Sequence, residues 1–321
     1  MNHIKSFGCR LGFTLIELLV VIAIVGVLIA AALPMIRGTS DSAMAAKCMA
    51  NMRNIAEATL IYASRDIEYG YYPSAGFFRY IGFALGDPVP KYKPRRPWIS
   101  NMGSPANLDK NWEGKKRPGK EAYGNVAHFT EKPNYEKPDD HNNPLFAVKH
   151  GAIWAYTGQS FDVYRCPVHT SAFEKAHKYP PSWSFVMNGK FGFDSDGKGV
   201  HGFNGQSVKS STVIGRPPDK VLMFAEVQGL ELKDKKHKVN LEPLVNGADF
   251  KTDAILEHDK ENIGFNHPLS KGRYCGHVAF ADGHVEKIVM PQNQGNIKEL
   301  TKWLCSGVDV VYDGGTYSEA N

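Results

Sequence analysis

Apolar residues run almost unbroken from Phe13 to Leu33, and the one charge inside the run is Glu17. At about 1.5 Å per residue, a helix of this length spans a hydrocarbon core of roughly 30 Å. The pattern therefore predicts a membrane-spanning helix over 13–33. Lys5 and Arg10 precede it, which places the N-terminus on the cytoplasmic side and the bulk of the chain across the membrane. Beyond Pro34 the period changes. Met44, Cys48, Met52, Ile55, Thr59 and Tyr62 step by three or four, the stripe of a helix that buries one face. The two patterns join into one long helix from Phe13 to about Asp66. Pro34 should kink it, because an interior proline removes a hydrogen bond and clashes with the preceding turn. Ser40 and Asp41 offer the alternative of a second helix after a local break.

After residue 66 the helical period is lost. Gly70 to Pro90 is aromatic and glycine-rich, and Asp87 to Pro144 is rich in Pro, Asn, Lys and Gly, which reads as a long insertion of loops. Strand-like runs follow at Phe161–Arg165 and at Trp183–Met187, the latter turning at Asn188-Gly189 into Lys190–Phe193. Cys166-Pro167 reads as a turn. Lys220–Glu226 is the clearest strand, and Asp282-Gly283 joins His277–Phe280 to His284–Ile288 as a second hairpin. Asn296–Leu304 suggests a short helix, and 309–321 a loose tail. The fold class is α+β: a long N-terminal membrane-spanning helix packed on a mostly antiparallel β-sheet head with long loop insertions.

Glu17 shapes the functional reading. A carboxylate at membrane depth costs at least about 2.5 kcal/mol without a partner. A secretory signal has a shorter apolar core with no acid in it, so a cut near Ala30-Ala31-Ala32 fits poorly. A cut after Gly12 instead removes a short basic leader and leaves the Phe13 amine within about a turn of Glu17. Amine and carboxylate align poorly within one helix and well between neighbouring helices, so the pair would specify assembly and register.

Gly12-Phe13-Thr14-Leu15-Ile16-Glu17-Leu18-Leu19-Val20 closely resembles the prepilin cleavage and methylation site of type IV pilins and type II secretion pseudopilins. The resemblance implies that a prepilin peptidase cuts after Gly12 and methylates the Phe13 amine. It implies that Glu17 pairs with the Phe13 amine of an adjacent subunit, and Pro34 falls where such proteins often kink. The order of helix then strands is that of the pilin fold. The chain then divides into a leader (1–12), a filament-core helix (13–33), its amphipathic continuation (34–66) and a head (67–321, with 87–144 the insertion). The expected partners are a prepilin peptidase, other pseudopilins in a homo- and hetero-oligomeric filament, an inner-membrane assembly platform and membrane lipid. The expected place is the inner membrane, with the head periplasmic or surface-exposed. Arg165-Cys166-Pro167, Ser184 to Asn188, Pro218 to Leu222 and Phe280 to Val285 also resemble, in order, a pseudopilin-like family with a C-terminal H-x9-DG segment. Here His267 precedes Asp282 with fourteen residues between, which implies five extra loop residues.

Charge adds little. The formal net charge of +5 becomes +3 once Lys5 and Arg10 leave (5 − 2), too small to indicate nucleic acid as a partner. The basic stretch 91–120, with Lys93, Arg95, Arg96, Lys110, Lys115, Lys116 and Arg117, reads as a solvated loop. A DNA- or polymer-binding adhesin is the alternative it keeps open. Cys9 leaves with the leader, and Cys48, Cys166, Cys275 and Cys305 allow disulfides in an oxidising space, although thiols are an equal alternative. Glu226, Glu257, His258, Asp259, His267, His277, Asp282 and His284 gather late in the chain, the residue types of a metal or hydrolytic site. No HExxH or nucleophile elbow accompanies them. A membrane-anchored metal-dependent hydrolase is thus a rival, and no enzyme activity and no required cofactor is the expectation. By analogy with major pseudopilins, Asp282 is the candidate ligand for Ca2+, and His267 is a second candidate metal residue. Asp194-Ser195-Asp196-Gly197 starts like a calcium loop but lacks its later carboxylates.

Overall fold

The computed structural model describes residues 15–65, 72–73, 75, 98–99, 148–149, 151–177, 180–191, 216–234, 239–241, 254–256 and 261–320. The chain divides into two compact units, Met1–Ala43 and Met44–Asn321. Helix α1 (Leu15–Arg65) continues as helix through Pro34 and Ser40, so one helix forms rather than two. The expected basic loop residues of 91–120, the Asp194–Gly197 turn and Glu257–Asp259 lie outside the described residues.

Within the larger unit, α1 buries the stripe read from its period. Cys48, Met52, Ile55 and Thr59 are fully buried, and Met44 and Tyr62 pack partly buried beside them. They rest on a six-stranded sheet built from β1 (Phe185–Asn188), β2 (Leu222–Glu226), β5 (Ile255–Leu256), β6 (His267–Pro268), β7 (Tyr274–Phe280) and β8 (Val285–Val289). The spatial order is β5-β1-β2-β7-β6, and β8 also pairs with β7. All pairings are antiparallel except β1 with β5.

Alternation divides the sheet's side chains between two cores. Phe185, Met187 and Phe224 join the α1 stripe. Val186, Leu222, Val278 and Ile288 join Ile297, Leu300 and Leu304 of helix α3 (Gln294–Ser306). This two-sided burial explains why β1 and β2 read as continuous apolar runs. Helix α3 has clear end signals: Asn293 accepts a bond from Asn296 N at 2.7 Å, and Gly307 closes the far end at φ 70°.

Several local expectations are corrected. Phe161–Tyr164 is a 3-10 helix, not a strand. Pro167 opens helix α2 (Pro167–His177), where a proline costs nothing because the first-turn N–H has no partner to lose. Asn188-Gly189 is not a hairpin turn. The Asn188 amide donates inward to Leu222 O and Cys305 O at 2.8 and 3.0 Å, and β1 pairs with β2 and β5 instead. The tail is not loose: β9 (Val310–Asp313) and β10 (Thr316–Glu319) pair across Gly314-Gly315. A small ribbon of β3 (Leu232–Asp234) and β4 (Val239–Leu241) completes the set.

Candidate functional site

Gly12 and Phe13 lie outside the described residues, and α1 begins at Leu15. Glu17 sits exposed in its first turn. The large apolar residues over 15–29 are 46–82% exposed, with Leu15 the most and Val25 the least. Burying such a side chain is worth roughly 1.5–3 kcal/mol, so the stripe calls for an apolar surrounding on every side. Among the described residues no helix is long and apolar enough to cross a membrane.

The second concentration of chemistry lies inside the larger unit, around Glu226. Five elements converge there. Cys48 comes from the buried face of α1. One turn on, Asn51 donates to Asp162 O and Arg165 O, both at 2.8 Å, which draws the 161–165 segment onto α1 and sets Cys166 beside Cys48 at the start of α2. Glu226 closes β2. His267 arrives on β6 because the chain before it packs backbone to backbone: Gly264 N donates to Glu226 O at 2.7 Å, and a Cβ on Gly276 would lie 1.9 Å from Gly264 O. His277 comes from β7.

Glu226 is completely buried and accepts from every side. Its Oε1 takes the Cys48 thiol at 3.1 Å, His267 Nε2 at 3.1 Å, His277 N at 3.0 Å and His277 Nδ1 at 2.6 Å. Its Oε2 takes Asn266 Nδ2 at 2.8 Å. Burial favours the protonated acid, but the adjacent His267 and His277 overcome it and hold the carboxyl well below its usual range. Burial likewise opposes charge on His267, and the Glu226 carboxylate with the Cys166 sulfur raises it to about 10. His267 Nδ1 is buried with no hydrogen-bond partner. Cys166 Sγ lies 3.7 Å from His267 Nε2. Against burial, a hydrogen bond from Cys48 and the His267 ring bring its thiol down to about 7. Cys48 is pushed up by burial, and further by Cys166 and Glu226. Together Cys48, Cys166, Glu226 and His267 place one ligand-type atom each within 4.8 Å of one another.

The two candidate metal residues, Asp282 and His267, do not meet. His267 pairs with Cys275 near the start of β7, whereas Asp282 lies beyond its other end. Five strand steps from Cys275 to Phe280 already span roughly 17 Å. Asp282 accepts His284 N at 3.1 Å and His284 Nδ1 at 2.5 Å, an arrangement that stabilises the β7–β8 turn. His284 Nε2 also reaches Glu286 Oε1 at 3.4 Å on the same strand face. Of the two alternatives for the cysteines, the structure shows thiols: among the described residues Cys48, Cys166, Cys275 and Cys305 are unbridged. Of the late histidines and acids, Glu226, His267 and His277 come together. The two cysteines are the members the sequence reading did not join to them. Their signals were weak: Cys48 passed as one apolar position in a stripe, and Cys166 as part of a turn.

Residues 9–33 match the family model of the prokaryotic N-terminal methylation motif. The chain carries the N-terminal methylation motif of type IV pilin- and pseudopilin-like proteins. With this motif it is a precursor of the kind that a prepilin peptidase processes, and membrane anchoring goes with the motif in general. The matched segment contains Gly12, Phe13 and Glu17 and ends at Leu33, the last residue of the apolar run. No curated protein and no solved structure matches the chain.

Proposed function

We propose that this chain is a pseudopilin-like structural subunit of a short filament of the type II secretion or type IV pilus kind. One observation carries the reading: the methylation motif coincides with a helix whose apolar side chains stand exposed all round and whose first turn carries Glu17. A helix apolar on all sides needs lipid before assembly and neighbouring helices after it. A peptidase cuts after Gly12 and methylates Phe13. The mature helix waits in the inner membrane with its head on the far side. On assembly, Glu17 meets the Phe13 amine of a neighbour, and the apolar helices bundle as the filament core. The head faces outward, in a pilin-like α+β arrangement that rests on the amphipathic half of α1. Its role is assembly and contact rather than turnover.

Assembly has a direct readout. The wild-type chain is expected in the sheared, pelletable filament fraction of the cell envelope, and to be lost from it when the assembly platform is deleted. Recovery only as a detergent-soluble membrane monomer, identical in both strains, would remove the filament reading.

A further inference from the structure

We propose that Cys48, Cys166, Glu226 and His267 bind a divalent transition-metal ion of the zinc class at the junction of α1, α2, β2 and β6. The donor set points to this chemistry. Two sulfurs, an imidazole nitrogen and a carboxylate oxygen suit zinc, whereas calcium and magnesium take oxygen donors. The spacing agrees. Zinc–sulfur bonds of about 2.3 Å and zinc–nitrogen or –oxygen bonds of about 2.0–2.2 Å give tetrahedral edges of roughly 3.3–3.8 Å. Three of the edges stand at 3.7 Å (Cys166 Sγ to His267 Nε2), 3.1 Å (His267 Nε2 to Glu226 Oε1) and 3.1 Å (Cys48 Sγ to Glu226 Oε1), and all four atoms lie within 4.8 Å. The remaining edges lie within 4.8 Å, so donor shifts of about an ångström or less complete the tetrahedron.

Crowding at Glu226 Oε1 points the same way. Four donors converge on one oxygen, while Oε2 serves a single amide. A carboxylate offers about four acceptor directions over both oxygens, so Oε1 is oversubscribed. A cation seated between Cys48, Cys166 and His267 replaces the Cys48 and His267 donors and leaves Oε1 to His277. The outer partners that orient metal ligands are already in place: His277 N and Nδ1 on Oε1, Asn266 Nδ2 on Oε2.

All four ligands are buried. With four protein donors and no face open to solvent, the site has the closed character of a structural metal, not a catalytic one. Its effect is to tie the amphipathic half of α1 to the sheet it packs on. The site does not depend on filament assembly, and its failure would leave the filament reading untouched.

The test uses the full-length chain purified in detergent without chelator. Metal analysis is expected to find close to one zinc per chain. Cobalt exchange should give the ligand-field and thiolate-to-cobalt charge-transfer bands of a tetrahedral, two-sulfur site. Cys48→Ser and Cys166→Ser should each diminish the charge-transfer band, and Cys305→Ser should leave it intact. His277→Gln, which changes only an outer partner, should weaken metal affinity by about 10–100-fold. Where a serine variant fails to fold, the wild-type cobalt spectrum decides alone. Folded wild-type chain that takes up neither metal, or a cobalt spectrum without thiolate bands, overturns the proposal. So does a Cys48–Cys166 disulfide trapped by acid-quenching whole cells.

Discussion

Replacing Glu226 with alanine is expected to lower the melting temperature of the full chain by roughly 6–20 °C. The carboxylate is the common acceptor for five donors on three other segments, α1, the Asn266–His267 pair and β7, and every one of those donors is buried. Removing it takes that acceptor from all five, at a place with no access to water. Breaking a buried charged network from one side costs about 3–5 kcal/mol, and a domain of this size loses about 2–4 °C per kcal/mol. The direction holds whether the centre is held by protons or by a metal, since alanine supplies neither acceptor nor ligand. Glu226→Gln conserves the volume but turns an amide donor towards other donors, so it too should melt early. A thermal melt of detergent-solubilised Glu226→Ala within a degree or two of wild type would show that Glu226 does not hold these segments together.

Replacing Glu17 with alanine is expected to cut recovery in the filament fraction by at least tenfold while leaving the larger unit folded. The two effects of this substitution have opposite signs, which makes it informative. As an isolated membrane helix, the variant improves, because a carboxylate at membrane depth costs at least about 2.5 kcal/mol. As a subunit, it loses the charge that pairs with a neighbour's amine and fixes the offset between helices. Assembly should fall although insertion does not. Glu17→Gln, with the same shape and no charge, should share the defect. Wild-type levels of filament incorporation for both variants would remove Glu17 from the assembly mechanism.

The legible parts of this chain are those decided by local pattern. The three-and-four spacing of Cys48, Met52, Ile55 and Thr59 is the buried stripe of α1. Asp282-Gly283 turns β7 into β8, with Gly283 at φ 93°. The parts that misled are those where one residue type serves two purposes. Asn188 precedes a glycine as a turn residue would, yet its amide is spent on two core carbonyls. Pro167 could end a strand or start a helix, and it starts one. Asp313-Gly314-Gly315 is a turn signal between two four-residue runs, but both flanking strands are largely exposed and carry no alternating buried face to mark them as a hairpin. The cluster around Glu226 was half legible. An acid closing a five-residue apolar strand is conspicuous, and two late histidines were natural companions. The cysteines were not, because 178 residues separate Cys48 from Glu226 and 101 separate Cys166 from His267. Only the packing of α1 on the sheet, guided by Asn51 and by the close approach at Gly264 and Gly276, closes those distances.

The central claim is that the chain works in a mature form beginning at Phe13. Intact-mass measurement and N-terminal sequencing of the protein from membranes, beside a strain lacking prepilin peptidase, test it most directly. The account predicts an N-methylated Phe13 terminus in the wild type and the uncut precursor in the control. A chain cut near Ala32, or one that keeps its leader in both strains, would contradict it.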